Sequence, residues 1–141
     1  DLVGGMRRLR AHPDVVDGIT ALAGAGHRVV ALTNSGQATA EAQLAHVGLD
    51  VQLDRILSVD PTLRFKPDPA VYAHAADELG ATPGDLVMVA AHDWDCAGAM
   101  RCGWRAGFVS RPGQTYNPLL QPPTWRAPDL LALASAIGDA R

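Results

Sequence analysis

No stretch of this 141-residue chain comes near the roughly 20 consecutive apolar residues that carry a helix across a bilayer. The longest apolar runs, such as residues 86–91, have the length of a strand. There is no signal-peptide pattern, although the sequence starts at Asp1 rather than Met. Cysteine is scarce. Cys96 and Cys102 are the only two, and their spacing in a segment that reads as helix suits neither a mutual bridge nor a metal site. Charge of one sign is lacking as well: 12 basic against 15 acidic side chains leave a net charge of -3, without a run of like charges. That leaves no electrostatic footprint for nucleic acid and no basic patch for a membrane surface. A reducing, cytoplasmic setting and a small neutral or anionic ligand are what remain.

What is present is a core-forming sequence, 48% hydrophobic, of the size of one ordinary domain. Val15, Val16, Ile19, Leu22 and Ala23 form a helical stripe over residues 13–25, with Pro13 in the first turn and Gly24 and Gly26 at the end. Residues 28–33 contain a continuous apolar run, Val29, Val30, Ala31 and Leu32, the signature of a strand covered on both faces in a parallel sheet. Helix is predicted over 38–46, 70–79, 97–102 and 130–137, and strand over 55–59, 86–91 and 106–110. Residues 61–69 and 112–128 read as proline-rich loops. Helix and strand alternate with short links, so the fold class is α/β, a Rossmann-like parallel sheet with helices on both faces. No repeat, linker or second domain is visible. Ligands of such sheets sit at the carboxyl ends of the strands, which gathers Thr33, Asn34, Val59, Asp60, residues 92–95 and Arg111 around one crevice.

Three segments at that crevice carry chemical potential. Thr33-Asn34-Ser35-Gly36 offers a hydroxyl, an amide and free N–H groups at a helix start, a cradle for an anion; taken by itself, the segment is better explained by an ordinary N-cap at Ser35 or Asn34. Arg64-Phe65-Lys66-Pro67-Asp68-Pro69, with Tyr72 beyond it, sets a lysine beside a proline-stiffened turn. Such a lysine keeps a working carboxylate ionised, unless it is only a solvated surface residue. His92-Asp93-Trp94-Asp95 follows a buried strand directly. Two carboxylates, an imidazole and an indole are costly to place there without partners, although either carboxylate could serve as a helix cap.

Taken together, these segments stand in the order of motifs two, three and four of the haloacid dehalogenase superfamily, which the chain resembles over roughly residues 13–137. Trp94-Asp95 and the 65–69 segment with Tyr72 are similar to the type II 2-haloacid dehalogenases. The resemblance implies attack by an aspartate carboxylate on the halogen-bearing carbon, giving an ester that water hydrolyses. It implies that Thr33 binds the substrate carboxylate, Asn34 lies near the departing halide and Lys66 holds the nucleophile ionised. Asp95 would pair with Lys66 and orient or activate the water, Tyr72 and His92 would line the pocket, and Trp94 would pack. No metal or cofactor is called for, and the partner is a small 2-haloacid, with homodimerisation left open.

Two departures from the family pattern matter. Ala90 and His92 stand where many relatives carry serine and asparagine, so His92 is expected to supply the missing hydrogen-bonding capacity. No Asp-x-x-Gly-Thr-like nucleophile segment precedes Thr33; Asp1 has no strand ahead of it, and Asp93 and Asp95 hold the fourth-motif position. The chain, 1–141, therefore reads as a partial core domain holding motifs two to four, with nucleophile strand and cap outside it. In relatives that strand lies mid-sheet, between those matching 28–33 and 86–91. The 141 residues alone are expected to be inactive and unstable or aggregation-prone. Two other functions compete: a magnesium-dependent phosphatase of the same superfamily, whose second acidic ligand would fall at Ala90 or Ala91, and a non-catalytic fragment that keeps only the fold.

Overall fold

The computed structural model describes residues 9–140; Asp1 lies outside them. In chain order the regular elements are α1 (Val15–Gly24), β1 (Val30–Thr33), α2 (Gln37–His46), β2 (Arg55–Ser58), α3 (Pro69–Leu79), β3 (Val87–Ala90), α4 (Asp93–Arg101), β4 (Arg105–Val109), β5 (Trp125–Ala127) and α5 (Leu130–Ile137). Every strand pairing is parallel, as expected of alternating helices and strands.

Among the described residues the strands do not join into one sheet. β1 pairs with β2, β3 with β4 and β4 with β5, and no ladder connects β1 to β3. The helix layers bridge the two pieces. Val30 and Leu32 of β1, Leu57 of β2 and Met88 and Ala90 of β3 pack into one core with Tyr72 and Ala75 of α3 and Cys96 and Ala99 of α4. Val29, Val89 and Ala91 point the other way, into a second core with Ile19 and Leu22 of α1 and Leu130 and Leu133 of α5. The strand period of two thus distributes one apolar run over two faces. Phe108 and Leu133, at 1% and 0% exposed, contribute about 1.5–3 kcal/mol each through burial.

Three sequence expectations need correction. Residues 112–128 are not all loop: residues 125–127 form β5, a strand too short to show a period, placed after Pro122 and Pro123 and before Pro128. Helix α4 begins at Asp93, four residues ahead of the predicted start, because His92 holds an extended N-cap conformation and carboxylates in a first turn suit the helix dipole. The third correction concerns burial. All four residues of β1 are only half-buried, whereas Ala106 to Val109 of β4 are buried throughout. Both strands are apolar, but only β1 has an open edge.

Candidate active site

Between β1 and β3 the open edges enclose a cavity of about 650 Å³, walled by residues 29–32 and 87–89 and reaching both helix layers. Lys66 and Asp95 also line it. Val29 and Thr33 give their carbonyls to Asp54 and Val59 on the β2 side, so alternation turns the Leu32 carbonyl to the open edge. That carbonyl accepts a bond from Lys66 Nζ at 3.0 Å. The same ammonium donates to Asp95 Oδ2 at 2.5 Å, with the two side chains 9% and 6% exposed. Lys66 is thus a buried, paired cation and no solvated surface lysine.

Asp95 is held from its other side by Tyr72, which is fully buried and donates its hydroxyl proton to Asp95 Oδ1 at 2.8 Å. Burial, reinforced by the charge of Asp95, pushes the Tyr72 phenol far above its ordinary range, so it stays a donor. Tyr72 meets the site through Asp95 and has no exposed face of its own. α3 is started by Asp68, which accepts from Ala70 N at 2.9 Å, and by Pro69 in its first turn. α3 and α4 approach closely at Gly98, where a Cβ would lie 2.7 Å from Tyr72 Oη and 2.8 Å from Pro67 Cβ. The Lys66–Pro67 peptide is cis.

Asn34 belongs to the same network by an unexpected route: its Oδ1 accepts from the Lys66 N–H at 2.8 Å and its Nδ2 donates to the Lys66 carbonyl at 3.4 Å. Thr33, at the end of β1, accepts from Ser35 N at 3.0 Å, which leaves its hydroxyl proton available. The predicted anion cradle is partly filled: Asp60 Oδ2 accepts from Gln37 N at 2.9 Å, so a carboxylate from the end of β2 caps α2, and neither Ser35 nor Asn34 does. Asp60 stood in the predicted crevice, but nothing local in the sequence marked it as a cap across two elements.

His92 and Trp94 stack with ring centroids 5.4 Å apart, and Trp94, expected to pack, is 38% exposed. Asp93 accepts from Trp94 N and from Asn117 N, which ties the loop after β4 to α4. Arg111 is drawn away from the site into an ion pair with Asp14 at 2.6 Å. Gly98 could have been singled out in advance, since a glycine inside a helix needs a packing reason.

Known proteins share the sequence and the fold of this chain. The family model described as haloacid dehalogenase-like hydrolase matches residues 2–103. The chain belongs to that family. It is 34% identical over 112 residues to (S)-2-haloacid dehalogenase 4A of Burkholderia cepacia, covering 79% of this chain and 48% of that protein. It is 31% identical over 133 residues to the (S)-2-haloacid dehalogenase of Pseudomonas sp. (strain YL), covering 94% and 57%. A crystal structure of a dehalogenase with an intermediate complex superposes with a TM-score of 0.90 at 30% identity, over 98% of this chain and 60% of that one. This haloacid dehalogenase-like chain therefore spans about half the length of the curated relatives it matches.

Proposed function

We propose that this chain is the core of a hydrolase that removes halide from a short 2-haloalkanoic acid, with the nucleophilic carboxylate on a segment outside the 141 residues. The observation that carries the reading is the Lys66 ammonium, buried against Asp95 and the open-edge carbonyl of Leu32. A volume of about 650 Å³ would also suit a small ligand. Its walls, however, are two apolar strand edges with no ladder between them among the described residues, a gap that a third parallel strand would fill. A carboxylate at the carboxyl end of that strand would meet Lys66 and be kept ionised.

In this reading the carboxylate oxygen bonds to the halogen-bearing carbon while the carbon–halogen bond breaks, and the halide leaves with the electron pair. Water then adds to the ester carbonyl carbon and loses a proton, and the 2-hydroxy acid departs as the carboxylate is restored. Asp95, steadied by Lys66 and Tyr72, orients or activates the water. Thr33 donates its free hydroxyl proton to the substrate carboxylate, while Asn34 and His92 stand at the same edge. The phosphatase reading has less support: Ala90 and Ala91 occupy the place of its second acidic ligand, and both oxygens of Asp95 are engaged by Lys66 and Tyr72.

The test is made on the full-length protein. Incubation with chloroacetate or (S)-2-chloropropionate should release chloride whether or not magnesium is added, and a generic phosphate ester should release no phosphate. Magnesium-dependent phosphate release without halide release would sink the reading.

A further inference from the structure

We infer that Asn34 is a positioning residue whose side-chain amide holds Lys66 in place by its main chain. The inference rests on the proposed function only for its kinetic consequences. Lys66 lies between the turn after β2 and the start of α3, followed by Pro67, which has no N–H to give. Its neighbours use partners close in sequence: the Phe65 carbonyl accepts from Asp68 N, and the N–H and carbonyl of Arg64 both bond to the Thr62 hydroxyl. Lys66 does not: its N–H goes to Asn34 Oδ1 at 2.8 Å, and its carbonyl receives Asn34 Nδ2 at 3.4 Å. One carboxamide, with one acceptor and one donor end, thus serves both polar groups of one peptide-forming residue.

The other end of Lys66 is held from the same strand terminus, since its ammonium donates to the carbonyl of Leu32, two residues before Asn34. The end of β1 therefore grips Lys66 at main chain and at Nζ together. Pairing with Asp95 then sets the charge at the mouth of the slot. A residue that merely touched a leaving halide would need no such fit to a lysine main chain. An aspartate at 34 would keep the acceptor for the Lys66 N–H and lose the donor; an alanine would lose both.

The experiment compares Asn34→Ala, Asn34→Asp and wild type in the full-length protein, by NMR and by halide release from chloro- and bromo-substituted propionate. In wild type the Lys66 amide should exchange slowly and its ammonium protons should be observable. Asn34→Ala should lose both signatures, and Asn34→Asp should keep the slow amide. Asn34→Ala should also lower kcat roughly ten- to a hundredfold, the scale of a misplaced group, with KM and the bromide-to-chloride rate ratio little changed. An unchanged Lys66 amide and ammonium in Asn34→Ala overturns the inference, as does a loss expressed as an altered bromide-to-chloride ratio. If wild type releases no halide at all, the proposed function falls, and the two NMR signatures alone decide the role of Asn34.

Discussion

Lys66 and Asp95 stabilise each other only as a pair. Removing one partner of a buried ion pair leaves the other charge without compensation, at a cost of about 3–5 kcal/mol. Lys66→Met is therefore expected to lower the unfolding free energy of the full-length protein by that amount and to abolish halide release. Tyr72→Phe preserves ring packing, including the edge-to-face contact with Trp104, and deletes only the donor to Asp95. It should cost about 1.5–3 kcal/mol, as for a hydrogen bond to a charged group, and reduce kcat more than it changes KM. Both are read from urea melts alongside steady-state kinetics. Cys96 illustrates a group placed close to the site without a part in it: fully buried beside Asp95, its thiol is pushed up to about 12 by desolvation, far from the reactive range.

At the scale of elements, small residues and capping carboxylates decide how closely helices approach the sheet. Gly98 permits α4 to lie against Tyr72 and Pro67. Gly98→Ala would force that contact apart and should destabilise by about 1–3 kcal/mol, with a larger proportional loss of activity because both displaced groups support Lys66 and Asp95. Gly18 plays the corresponding part between α1 and Leu130 of α5, where an added Cβ would collide with the leucine side chain. Asp14 ties the same two helices: its carboxylate pairs with Arg111 and accepts from Leu130 N at 2.6 Å. The Arg111 guanidinium, opposed by burial, holds that carboxyl at about 2, below the ~3.9 of an unfolded aspartate. A lowered folded value stabilises above the unfolded one and is lost on acidification. The contribution of Asp14 is thus complete above about pH 4 and disappears as the pH falls towards 2. In Asn variants at position 14 the acid limb of the stability curve should be shallower, which denaturation midpoints from pH 2 to 7 would reveal.

The whole molecule is governed by the gap between β1 and β3. Each strand is half a central strand: apolar on both faces, paired on one edge, with backbone groups on the other edge facing the cavity. Buried polar groups left unpaired cost ~1–3 kcal/mol each, against a usual domain stability of only ~5–15 kcal/mol. The isolated 141-residue polypeptide should accordingly bind a dye for exposed apolar surface, melt without a sharp transition and release no halide. A cooperative melt together with activity in those 141 residues would contradict the idea that a further strand completes the sheet.

Alternating apolar segments, glycine stops and proline starts were enough to read nine of the ten α-helices and strands of the described residues from the sequence, and motif order brought Lys66 and Asp95 together across 29 positions. These features are legible because periodicity and turn chemistry are local, and because the motifs keep their order along the chain. The fifth strand was hidden because three residues between prolines carry no period. The grip of Asn34 on Lys66, the capping of α2 by Asp60 and the close approach at Gly98 depend on which atoms meet across elements. So does the division of the sheet: an apolar run specifies that a strand will be covered on both faces, but its edges are satisfied only by whichever backbone arrives beside them in space.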